Sequence, residues 1–239
     1  MTRFSSMVAF CLLLAHTCGH ATVTLERGET VLHIIGTIQK GDADRVISLL
    51  NGRTPNGLNV GLFVELNSKG GDVDEAMRIG ERLRAANAEM YVQKDTVCIS
   101  SCVLILAAGL ARTVNGRVGI HRPYLPMDAA TSMQEQKQIH TRIESVIKRY
   151  LETMNISKAL YDDMFRVPPE KVKFLSESEL QSYGLNEADP YWSEALDTKV
   201  AASQGISKGE WIFIKANCLQ KGLLPGSPQC KEIIARGKK

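Results

Sequence analysis

The sequence predicts an α/β fold with a mainly parallel sheet and a projecting helix. Three observations lead there. From Val31 to Ala108, short apolar strand-like runs alternate with stretches of helical spacing, the pattern of a parallel sheet buried between helices. The strand-to-helix turns of the second and third units carry Gly70-Gly71 and Ser100-Ser101. In such sheets, ligands gather at the carboxyl ends of strands, so both turns should face one crevice. Finally, 239 residues with 44% hydrophobic and 23% charged content suit a globular chain with a sizeable core. A formal charge of +3 is too small to point to nucleic acid or an acidic membrane surface.

Met1 to Ala21 reads as a secretory signal rather than part of the fold. Arg3 is its only charge, Met7 to Ala15 is apolar, and Gly19-His20-Ala21 supplies small residues before a cut after Ala21. The apolar run is short for a bilayer span, and no later segment reaches the roughly 18 apolar residues a span needs. Cys18 lacks the small preceding residue of a lipoprotein signal. The expectation is an exported, periplasmic or secreted chain without a stable membrane anchor. Residues 22–189 would form the main domain and residues 190–239 a C-terminal appendage.

Export bears on the cysteines. Without Cys11 and Cys18, the chain keeps Cys98, Cys102, Cys218 and Cys230. An even count in an oxidising compartment favours disulfides, and nearness in sequence predicts Cys98–Cys102 and Cys218–Cys230. The second bridge would close a loop containing Gly222, Pro225, Gly226 and Pro228, stabilising it by ~3 kcal/mol. Zinc is the alternative, but neither pair has tight finger spacing. No metal or cofactor is expected.

In chain order, Val31 to Gly36 reads as a buried strand and Asp44 to Leu50 as a helix. Asn59 to Leu66 reads as a second strand ending in the turn Asn67-Ser-Lys-Gly-Gly71. From Val73 to Ala86 apolar or small residues fall at helical spacing, with Asp74 and Arg78 as an outer i,i+4 pair. Met90 to Gln93 is the third strand and leads into the serines, after which Val103 to Ala108 is wholly apolar. Arg112 to Ile120 returns to the sheet and ends at His121. Thr131 to Met154 is the longest periodic helix, opened by the capping-box pattern Ser132-Met-Gln-Glu135. Its stripe of Ile139, Ile143, Val146, Ile147, Tyr150, Leu151 and Met154 serves either core packing or contact between subunits. Lys158 to Gly184 adds short helical pieces, one of them starting after Phe174-Leu-Ser176.

Ser100 and Ser101 sit where a strand enters a buried helix. Unpaired N–H groups and the helix dipole there stabilise developing negative charge. A hydroxyl held at such a turn is a nucleophile if a base reaches it; otherwise the serine simply caps the helix. After signal removal three histidines remain: His33 in a core strand, His140 within the long helix, and His121 at a strand end before Arg122-Pro123. His121 is the best placed to meet a serine.

Taken together, these residues resemble the Clp-protease proteolytic-subunit (ClpP) family of the ClpP/crotonase fold, from about Val31 to Leu185. Asn67-Ser-Lys-Gly-Gly71 is similar to that family's Asn-Ser-Pro-Gly-Gly turn, with Lys69 in place of proline. Ser100, followed by Gly109 of Ala-Ala-Gly, resembles its nucleophile segment, and Ile120-His-Arg-Pro123 its Ile-His-Gln-Pro around the histidine. Phe174-Leu-Ser through Tyr183-Gly-Leu185 resembles the helix closing its core. The resemblance selects Ser100 over Ser101 as nucleophile and implies a peptide or protein substrate and a homo-oligomer. One position departs: Val172 stands where the family carries its catalytic aspartate. Glu170 or Asp163 would then serve as acid, or the site works as a Ser–His pair, or it is degraded.

The leading expectation is an exported ClpP-like serine peptidase acting without an ATPase. Ser100 would attack, His121 would take its proton, and the N–H groups of Gly71 and Ser101 would hold the oxyanion. A catalytically degraded module for binding or assembly is the alternative, and a crotonase-like acyl-CoA enzyme a third. Export from the CoA pool and the Ser–His pair argue against the third.

Overall fold

The computed structural model describes residues 21–26, 30–51, 61–124, 132–224 and 226–237. The expected signal segment up to His20, with Cys11 and Cys18, and the expected start of the second strand at Asn59 lie outside the described residues.

A mainly parallel sheet organises the chain, as the alternation predicts. β2 (Val31–Ile38) runs parallel to β3 (Phe63–Gly71), and β1 (Thr22–Leu25) closes the edge antiparallel to β2. On β3 the side chains alternate as a pleat requires: Val64, Leu66 and Ser68 are buried, Phe63, Glu65 and Asn67 less so. β3 then serves two neighbours. Its first residues pair with β4 (Glu89–Val92), which pairs in turn with β6 (Ala111–Val114). Further along, Ser68 pairs with Cys98 of β5 (Val97–Ile99), followed by β7 (Arg117–Ile120) and the antiparallel β8 (Lys173–Phe174).

The sequence expects one strand, Met90 to Gln93, to lead into the serines. Two strands stand there instead, because the chain turns between them: Asp95 adopts φ +65° and Thr96 N–H donates to the Gln93 carbonyl. Nor is Asn67 to Gly71 a turn; β3 continues through it to Gly71.

Helices connect the strands: α1 (Asp42–Asn51), α2 (Val73–Ala85) and α3 (Cys102–Ala107). All six residues of α3 are buried, so this short helix is the centre of the core rather than a surface element. Fully burying a Leu or Ile there contributes ~1.5–3 kcal/mol, which far outweighs weak helix propensity. Arg78 on α2 does not pair with Asp74. It bonds Glu75 at 2.8 Å and Asp44 at 2.6 Å, because the Glu75 carboxylate turns inward to accept from the N–H groups of Gly41 and Ala43. His33 is not a core side chain either; it is half-buried between Glu26 and Glu65.

The long helix, α4 (Met133–Thr153), begins at Ser132 with a complete capping box. Its stripe divides: Ile147, Tyr150, Leu151 and Met154 are buried, whereas Ile139 and Val146 are exposed. From Ile147 onward the stripe is therefore core, and before it the stripe is not. α5 (Lys158–Arg166) and α6 (Glu177–Tyr183) follow, the latter capped by Ser176.

Three further helices follow, α7 (Pro190–Ser203), α8 (Lys208–Asn217) and α9 (Pro228–Gly237). α8 and α9 flank a second apolar cluster of Ile214, Cys218 and Cys230, and α7 joins α8 through Asp197, which accepts from Trp211 and Lys215. The Cys218–Cys230 disulfide lies at its centre. Asp189 ties α7 to the core: one oxygen caps the N–H groups of Tyr191 and Trp192, the other accepts from Arg84 and Asn155. Among the described residues, no helix is long and apolar enough to cross a membrane.

Candidate active site

β5, β7 and the end of β3 bring the sequence-predicted residues to one rim of the sheet. β5 and β7 are parallel and pair Ile99 with Gly119, so their carboxyl ends lie side by side. Ser100 ends one of them and its N–H donates to the Gly119 carbonyl at 2.9 Å. His121 follows the other, one residue beyond Ile120.

Ser100 has φ +59°, the left-handed region that a serine enters only at a cost. This conformation lets the chain reverse between β5 and α3 and leaves Ser100 half-buried rather than sealed in the core. Ser101 occupies the N-cap position of α3 but makes no capping bond, and its Oγ is buried without a hydrogen-bond partner. Capping therefore does not account for the serine pair.

The Gly-Gly segment closes on this turn. A β-carbon on Gly70 would lie 2.7 Å from the Ser100 Cβ and 3.0 Å from the Ser101 nitrogen. Gly71, at φ +148°, has its own reason for being glycine: a β-carbon there would collide with the Ile38 carbonyl. Gly71 is exposed at the rim. It is thus Gly70 that packs against the serines, a division of labour that the doublet alone does not reveal.

The Cys98–Cys102 disulfide brackets the same turn, with its two Cα atoms 5.3 Å apart. Both cysteines are fully buried. The two cysteine pairs are those expected from their sequence proximity.

His121 Nδ1 lies 2.9 Å from the Arg122 carbonyl oxygen. A carbonyl only accepts, so this contact assigns the ring proton to Nδ1 and leaves the lone pair on Nε2. Arg122 precedes Pro123, which favours extended backbone at Arg122. That dipeptide is the one sequence signal for the arrangement, and it says nothing of the imidazole. Among the described residues, no carboxylate hydrogen-bonds to His121.

β8 runs beside this edge. Gly119 pairs with Phe174 and Ile120 with Lys173, so Val172 occupies the next step, alongside His121. The Val172 Cγ1 would stand 2.6 Å from a β-carbon on Gly119, and Arg117 stacks on the Phe174 ring at 3.7 Å. Asp163 engages other groups: it accepts from Lys173 at 2.9 Å, Tyr183 at 2.6 Å and Arg166 at 2.8 Å. The hydrogen bonds from Lys173 and then Tyr183 hold its carboxyl down to about 2. Burial, helped by the bond to Asp163, pushes the Tyr183 phenol up to about 12. Glu170 is exposed in the turn before β8.

The family model of Clp protease matches residues 22–188, which include every described strand and all the rim residues above. The chain belongs to the Clp protease family. No curated protein matches it in sequence. Clp proteases are typically oligomeric and act on peptide substrates. The mixed α/β architecture with its mainly parallel sheet is in keeping with the Clp protease family. Val172, where the sequence resemblance would put that family's aspartate, is 42% exposed and has no polar atom to orient an imidazole.

Proposed function

We propose that this Clp protease family member is an exported serine peptidase that cleaves peptide bonds without an ATPase partner. The observation that carries the reading is Ser100 at φ +59° at the end of β5, hydrogen-bonded to the strand that delivers His121. His121 Nε2 takes the Ser100 proton as Oγ attacks the scissile carbonyl carbon. Backbone N–H groups of Gly71 and Ser101 stabilise the tetrahedral oxyanion. The imidazolium then gives its proton to the leaving amine, and water enters to hydrolyse the acyl-enzyme with His121 again as base. The Arg122 carbonyl takes the orienting part that a carboxylate plays elsewhere. It carries no full charge to stabilise the imidazolium, so turnover is slow.

Export is supported by the signal pattern of residues 1–21 and by two disulfides, which persist in oxidising compartments. Outside the cytosol the ATP-driven unfoldases that serve the resembling enzymes are out of reach. Oligomerisation through α4 fits its exposed Ile139 and Val146.

The test is labelling by a fluorophosphonate probe together with peptide cleavage. Ser100→Ala and His121→Ala abolish both, while Ser101→Ala spares both. Wild-type cleavage by Ser100→Ala would remove the nucleophile from this reading. Val172 favours a second reading, a module that keeps the fold for binding or assembly. That reading wins if oxidised, folded protein neither labels at a serine nor cuts any peptide.

A further inference from the structure

The Cys98–Cys102 bridge and the nucleophile turn are one structural unit. Cys98 lies on β5, hydrogen-bonded into the sheet between Ser68 and Val118. Cys102 is the first residue of α3. Between them run only Ile99, Ser100 and Ser101. Four residues of extended chain span about 13 Å, yet the two Cα atoms are 5.3 Å apart, so the backbone must double back inside the bridge. Ser100, at φ +59°, lies at the middle of that reversal. A second constraint presses from outside, where the Gly70 backbone lies against Ser100 and Ser101.

We propose that Cys98 and Cys102 are positioning residues: their disulfide holds Ser100 in its left-handed, reactive conformation, so that the site becomes competent only once the bridge has formed. This rests on the Ser100–His121 reading. With free thiols no cross-link shortens the path between the strand and the helix across the turn, and Ser100 gains access to the ordinary negative-φ region at lower energy. Two thiols become one disulfide, and their two electrons and two protons pass to a disulfide oxidant such as oxidised glutathione, which leaves as two thiols. Because both cysteines are fully buried, reductants in solution reach the finished bridge poorly. The bridge acts as a latch set once, after synthesis, and ties the peptidase to an oxidising compartment.

The experiment measures fluorophosphonate labelling of Ser100, resolving the maximal inactivation rate from the half-saturating probe concentration. Cys98→Ala/Cys102→Ala is compared with wild type and with Cys218→Ala/Cys230→Ala, which loses the other bridge. The expected result is a fall of about tenfold or more in maximal rate for the first pair, the half-saturating concentration unchanged, and no rate change for the second pair. Equal maximal rates in all three proteins would overturn the proposal and leave the catalytic reading standing. Absence of labelling in oxidised wild type would overturn both. Should the alanine pair fail to fold, the Cys218→Ala/Cys230→Ala protein is refolded under a phosphine reductant and then given oxidised glutathione. Labelling that appears only as the thiols disappear supports the latch, and full labelling with two free thiols refutes it. If the reduced protein cannot fold either, the bridge holds the fold rather than the turn, and the proposal fails.

Discussion

Gly70 lies so close to Ser100 that a β-carbon added to the glycine would sit 2.7 Å from the serine Cβ. Gly70 also has φ +92°, which disfavours any L side chain. Gly70→Ala must therefore displace the serine turn. Labelling of Ser100 is expected to fall by tenfold or more, with a lowered melting temperature measured alongside by circular dichroism. Unchanged labelling would mean that the turn moves freely without affecting Ser100.

Val172 directly precedes Lys173, which pairs with Ile120, so the register sets it beside His121. Val172→Asp would set a carboxylate there at little change of volume. Loss of the aspartate from a serine-protease triad costs ~10⁴ in kcat, so even partial restoration should raise peptide cleavage at least tenfold. Val172→Asn is the control and should not. An unimproved Val172→Asp enzyme would indicate that the Arg122 carbonyl already fixes the ring.

Exposed Ile139 and Val146 on α4 are expected to be buried between subunits. Ile139→Asp/Val146→Asp should lower the mass seen by light scattering at micromolar concentration and leave the circular dichroism spectrum unchanged. A wild-type chain that is monomeric there would rule out the contact.

Asp163 joins α5 to β8 and α6 through Lys173 and Tyr183, and its carboxyl is held down to about 2. A carboxyl depressed in the folded state stabilises the fold above its unfolded value near 3.9, and that contribution is lost as pH falls toward 2. Acid unfolding between about pH 4 and 2 should be visibly steeper in wild type than in Asp163→Asn, by denaturant titration across that range. Parallel curves would show that the carboxylate contributes nothing to folding.

What the sequence made legible was mostly local. The capping boxes at Ser132 and Ser176, the apolar run of α3 and the two close cysteine pairs all depend on neighbours within a few residues. The parallel β/α order was legible too, because strand and helix periods differ. What escaped depends on single backbone angles or on distant partners. The division of β4 from β5 turns on Asp95 at φ +65°, and nothing in the residue type announces it. Glu75 looks like a surface residue of an amphipathic helix, but its partners Gly41 and Ala43 are over thirty positions away. The candidate site was found through residue types, Ser100 and His121. The carbonyl that orients the imidazole has no side chain to betray it.

β3 is shared by both limbs of the sheet, pairing first with β4 and then with β5. Any motion parting the limbs would have to bend a continuous backbone strand, not merely unzip hydrogen bonds. The limb bearing Ser100 and His121 is thus spliced to the other limb rather than hinged on it. Substrate entry cannot rely on the limbs swinging apart. On the proposed reading, access falls to what borders the rim, where Phe174 and Val172 are exposed beside the Ser100–His121 limb.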